Sequence, residues 1–122
     1  MEFKELLGKT LTEIVGEVGG NRMTFKTSEG KEYVLYHSQD CCESVEINDI
    51  NGELSDLLGT PITMAEEATN SNEPKPSEYC DSFTWTFYKL ATQKGFVDVR
   101  WLGESNGYYS EGVDFCESGK EW

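Results

Sequence analysis

No stretch of the 122 residues carries more than a few apolar positions in a row, and a membrane-crossing helix needs about 20. The opening Met-Glu-Phe-Lys-Glu has neither the basic start nor the apolar core of a secretory signal, which predicts a cytoplasmic protein. Basic residues are scarce: ten Lys and Arg stand against 23 Asp and Glu, a formal net charge of −13. Affinity for DNA, RNA or anionic lipid is built from cations facing phosphate, so a surface this acidic argues against direct binding of any of them. It permits the opposite partner, a basic protein surface, including one that normally holds nucleic acid. There is no internal repeat and no low-complexity tract.

The shortage of bases has a local extreme. From residue 32 to residue 74 there is no Lys or Arg, while ten carboxylates accumulate, among them Glu43, Glu46, Asp49, Glu53, Asp56, Glu66 and Glu67. These seven are the expected partner-binding residues. Their field reaches about 8 Å at physiological salt. The alternative is a solvated face that keeps a small protein soluble.

What is present suffices for a core. Hydrophobic residues make up 37% and aromatics 12%, which predicts one folded domain over residues 1–122. Phe3 to Leu7 reads as a short helical turn ending at Gly8, and Glu53 to Leu58 as another ending at Gly59. Alternation of apolar and polar residues marks strands at 23–27, 44–48 and 83–90, and further strands read at 11–15, 32–37, 96–101 and 62–68, the last with helix possible on propensity alone. A last strand over 108–115 would complete a C-terminal meander. The polar stretch 69–78 reads as a mobile loop. The expected class is α+β, mainly antiparallel sheet with one or two short helices. Trp85, Val97, Val99, Trp101, Val113 and Phe115 are the expected core of the C-terminal sheet.

Reactive groups concentrate at His37-Ser-Gln-Asp40-Cys41-Cys42-Glu43, which holds the only histidine and half of the four cysteines. Zinc favours thiolate and imidazole, and a loop leaving a strand can wrap such donors around an ion. There is no C-x-x-C pair, so further donors would have to come from Cys80, Cys116, Glu104 or Asp114. The alternative is a thiol packed as a small hydrophobe beside a histidine satisfied by a carbonyl. Four cysteines allow three pairings as two disulfides, although adjacent cysteines rarely bond to each other. A cytosolic chain is expected to keep its thiols reduced or metal-bound. Thiol nucleophilic chemistry is disfavoured, because Asp40, Glu43 and Glu46 would raise a thiol's pKa. A second polar cluster, Gly103 to Glu111 with Tyr108 and Tyr109, reads as a hairpin recognition surface or simply a turn.

The strings His37-Ser-Gln-Asp-Cys-Cys-Glu43, Leu57-Leu-Gly-Thr-Pro61, Ala65-Glu-Glu67, Thr84-Trp-Thr-Phe-Tyr-Lys-Leu-Ala-Thr92 and Arg100-Trp-Leu-Gly-Glu-Ser-Asn-Gly-Tyr-Tyr-Ser-Glu111 carry a resemblance. Together they resemble a family of small proteins of bacteriophages and their hosts whose function is unknown. The sequence is also similar to metal-containing type II-A anti-CRISPR proteins that inhibit Cas9. That likeness implies a structural zinc ion, centred on His37, Cys41 and Cys42 with Asp40 as a weaker donor, and Cas9 as partner. The expectation is therefore a monomeric, non-enzymatic inhibitor in a bacterial host cell, docking on a basic nucleic-acid-handling surface and reducing DNA loading. Two alternatives stand beside it. One is a sponge for a nucleotide signal, for which Arg22, Lys89, Lys94 and Arg100 are the available cations. The other is a small metalloenzyme with an open zinc position.

Overall fold

Alternation becomes sheet wherever a turn closes it. A computed structural model describes residues 2–39, 42–70, 82–105 and 110–119. Its elements in chain order are a 3-10 turn η1 (Phe3–Leu6), β1 (Leu11–Val15), β2 (Arg22–Thr27), β3 (Glu32–Tyr36) and β4 (Ser44–Asn51), then a 3-10 turn η2 (Leu54–Leu57), β5 (Met64–Asn70), β6 (Ser82–Thr92), β7 (Gly95–Ser105) and β8 (Asp114–Glu117). The protein is thus mainly antiparallel β, in two four-stranded sheets ordered β1-β2-β3-β8 and β4-β7-β6-β5. No helix among the described residues is long and apolar enough to cross a membrane.

The inner faces share one core. Met23 and Phe25 of β2, Tyr33 and Leu35 of β3 and Phe115 of β8 come from the first sheet. Val45, Ile47, Tyr88, Leu90, Val97, Val99 and Trp101 come from the second. Phe3 and Leu6 of η1 close the interior, with the Phe3 ring 4.6 Å from Tyr88 and 5.4 Å from Phe115.

One flank of the sandwich is stitched shut. The β1–β2 turn bonds the outer edge of β4, Gly19 N donating to Ile47 O at 2.7 Å and Ile47 N to Gly20 O at 2.8 Å. Further along, Gly59 N donates to Leu11 O at 2.9 Å, and Thr10 bridges Pro61. A bulge near Asn48 shifts the β4–β7 register. It frees that side chain to accept from Arg100 Nε at 2.9 Å and Nη2 at 2.6 Å. Such bulges re-aim a side chain at the cost of one ladder position.

Two expectations need correction. The last strand does not extend a meander. β8 starts only at Asp114 and pairs with β3 in the other sheet, Leu35 opposite Phe115. A strand has two edges, and both edges of β7 are taken, by β6 and β4. Residues 108–109 of the expected strand, and most of the expected 69–78 loop, lie outside the described residues. Trp85 is the second correction: it is buried, but not in the shared core. The β6–β7 register sets Leu90, Tyr88 and Thr86 opposite Val97, Val99 and Trp101. Opposed residues share a face, so the row of β6 that carries Thr86, Tyr88 and Leu90 turns inward beside the bulky Trp101. Trp85 turns outward beside Leu102, with the Arg100 guanidinium 4.9 Å above its ring.

Candidate functional site

The two polar clusters of the sequence meet in space. His37, just past β3, sends Nδ1 to the Gly112 carbonyl at 2.7 Å and Nε2 to Glu43 Oε2 at 2.7 Å. Its side chain is 3% exposed and that of Glu43 is 0%. A carbonyl only accepts, so Nδ1 carries a proton and donates. The second proton lies between Nε2 and the carboxylate, and the pair is neutral overall wherever on that line it sits. Gln39 Nε2 donates to the Glu43 carbonyl at 2.6 Å and closes the loop. Beside it, Glu111 accepts from Thr84 Oγ1 at 2.8 Å and from Ser105 Oγ at 2.5 Å. The arrangement pins the 37–43 loop and the 110–113 segment over the end of the second sheet.

Glu43 was expected to contact a partner, and the structure corrects this: its carboxylate is buried against His37. The zinc donors can be tested in the same way. Both His37 nitrogens are committed to protein acceptors. Cys42 is disulfide-bonded, so its sulfur is not a thiolate, and the expectation of reduced thiols does not hold for it. Cys116 carries a free thiol on β8. Asp40 and Cys41 lie outside the described residues. Among the described residues no group of three or more donors converges, and those present do not fit a tetrahedral ion. The loop is tied by the buried His37–Glu43 pair, and Cys42 at its end is disulfide-bonded. A reductant is therefore expected to lower the melting temperature and a chelator to leave it unchanged. A fall with chelator alone, followed by calorimetry, would count against this account.

The remaining acidic residues reach the surface, but not as one face. Glu46 and Asp49 lie on β4, and Glu53 and Asp56 at η2. Glu66 and Glu67 lie on β5, at the opposite edge of the sheet. Glu46, Glu53, Glu66 and Glu67 are exposed, Asp49 and Asp56 half-buried. Across the sheet Asp49 opposes Arg100 and Glu66 opposes Lys89.

The β5 edge adds a concavity. A cleft of about 590 Å³ opens between η1, β5 and the start of β8. Its apolar lining is Phe3, Ala65, Val113 and Phe115, and its carboxylates are Glu2, Glu66, Glu67 and Asp114. Lys4 is its one lining cation among the described residues and is paired with Glu2 at 3.0 Å. Next to it, burial above all, then the charge of Glu67 and a hydrogen bond to it, then Asp114, push the Tyr88 phenol far above its ordinary range. Tyr88 therefore stays protonated and a donor, with its hydroxyl 3.5 Å from the Val113 carbonyl oxygen. The sequence marked Glu66 and Glu67 but not Glu2, Phe3 or Val113 as their neighbours, and it offered Asp114 only as a metal donor. These residues are remote along the chain, and no local pattern joins them.

Fold and cleft define a two-sheet antiparallel sandwich with carboxylates on both edges of its second sheet and an acidic cleft at β5. The chain belongs to the DUF7448 family, a domain of unknown function, which matches residues 4–115. No curated protein and no solved structure matches it.

Proposed function

We propose that this protein is a non-enzymatic, acidic binding protein that occupies a basic, nucleic-acid-handling surface of a host defence effector. Cas9 is the partner that the sequence resemblance selects. The observation supporting a basic partner is the placement of carboxylates on both edges of the second sheet, with an acidic cleft on one of them. Cas9 holds its heteroduplex in positively charged channels, and a protein of charge −13 competes there with nucleic acid. Four carboxylates against one lysine repel an anionic nucleotide, so the cleft favours this reading over a nucleotide sponge. The His37–Glu43 pair, both partners buried and mutually satisfied, serves the fold rather than turnover.

Immobilised Cas9 should retain the protein at low salt and release it near 1 M salt, where the screening length falls to about 3 Å. Added protein should also reduce loading of target DNA. No retention at low salt would overturn the choice of Cas9, and retention insensitive to salt would overturn the electrostatic basis.

A further inference from the structure

We propose that β5 is a docking edge which accepts an extended basic segment of the partner as an added strand, placing a Lys or Arg side chain in the cleft beside Glu67 and Asp114. This rests on the reading of the protein as a binder of basic partners, and it names the surface and the mode.

Three observations converge on that edge. The sheet has two outer strands: β4 is backbone-bonded by the β1–β2 turn, whereas β5 has η1 packed beside it and only its lead-in residue Ile62 bonded, to Gly8 and Lys9. No backbone hydrogen bond joins the outer edge of β5 to another described residue. Next, β5 is regular. Met64 through Asn70 pair with β6 without a register shift, and its sequence contains no Lys and no Pro. Folds usually blunt exposed edges with bulges, prolines, charges or a covering helix; this edge has no bulge and no proline, and its only devices are the charges of Glu66 and Glu67 and the short turn η1 beside it. Finally, its two charges sit on successive residues and so face opposite sides of the sheet. Both line the cleft, Glu67 from the face it shares with Tyr88 and Glu66 from the face it shares with Lys89.

Charge decides the occupant. A second copy would bring further carboxylates to an edge that already carries Glu66 and Glu67, and like charges directly opposite are destabilising. A segment with two successive basic residues meets a carboxylate on each side. Its inward side chain lies over Phe3 and Phe115, where a long aliphatic stem buries well while its charged head reaches Asp114. Main-chain bonds along the edge supply affinity and the cleft supplies selectivity, as in other strand additions.

The probe is an acetylated peptide of alternating Val and Thr around a central Lys-Lys. Controls carry Glu-Glu at the centre, or N-methyl groups on either alternate set of amides. Chemical shifts and hydrogen exchange of the isotope-labelled protein report where it binds. Protection is expected at amides within 65–69, with binding abolished by one N-methyl set and kept by the other. The Glu66→Lys/Glu67→Lys variant should weaken binding at least tenfold, while Glu29→Lys, in the exposed β2–β3 turn of the other sheet, should not. Equal binding by both N-methyl peptides, shifts confined to β4 and η2, or no binding at low salt would each overturn the proposal. Shifts confined to β4 and η2 would leave the acidic-binder reading intact. Strand addition at β5 without retention on Cas9 would leave the docking edge intact and remove only that partner.

Discussion

His37→Ala should lower the free energy of unfolding by about 3–5 kcal/mol, the usual cost of removing one member of a buried ion pair. The substitution leaves the Glu43 carboxylate, 0% exposed, without its 2.7 Å partner, and it strips the Gly112 carbonyl of a donor. The size of the effect comes from what is left behind rather than from the worth of the bond. Glu43→Gln is the informative companion. The amide keeps the shape of the acid and can donate to Nε2, while Nδ1 continues to donate to Gly112. That variant should cost about 1 kcal/mol, the net value of an ordinary hydrogen bond. Urea denaturation checks both, with the midpoint moving and the m value held. A His37→Ala variant as stable as the parent would show that the pair is not the clamp described.

Much of the fold was legible because it is local. β1 has the bounds read for it ahead of the Gly19-Gly20-Asn21 turn, and both 3-10 turns end close to the glycines that marked them. Register between distant strands was not legible. Nothing within Phe83-Thr-Trp-Thr-Phe says which row faces the core; its partner Trp101 decides, across the sheet. The site follows the same division. The base-free acidic stretch was plain in the sequence, but β7 and β6 lie between β4 and β5 and carry its two halves to opposite edges. Glu43 read as surface because it is charged. Only the third dimension sets it against His37, although a lone histidine six residues upstream was the available hint. The cleft joins residues near 3, 66 and 114, and no one-dimensional signal spans that distance.

Gly103→Ala should prove nearly as damaging as the loss of His37, for a different reason. A Cβ at this buried position would lie 2.3 Å from the Glu111 carbonyl oxygen and 2.8 Å from Glu111 Cβ. The obstacle is mainly backbone, so no flexible side-chain tip can swing away. The 110–113 segment must lift, and what it holds goes with it: the Glu111 bonds to Thr84 and Ser105, and the Gly112 bond to His37. Overpacking of this kind costs about 3 kcal/mol, and the lost bonds add to it. Gly8→Ala separates clash from backbone strain. Gly8 has φ +81 with nothing within 4 Å of the added atom, so only the left-handed conformation is penalised, by about 1–2 kcal/mol. The two variants should therefore differ in kind as well as in size. Gly103→Ala should expose amides of the 37–43 and 110–113 segments to exchange together, whereas Gly8→Ala should leave them protected. If Gly103→Ala cost no more than Gly8→Ala and left those amides protected, the 110–113 segment would not be packed on β7, and the coupling of the two polar clusters would fall with it.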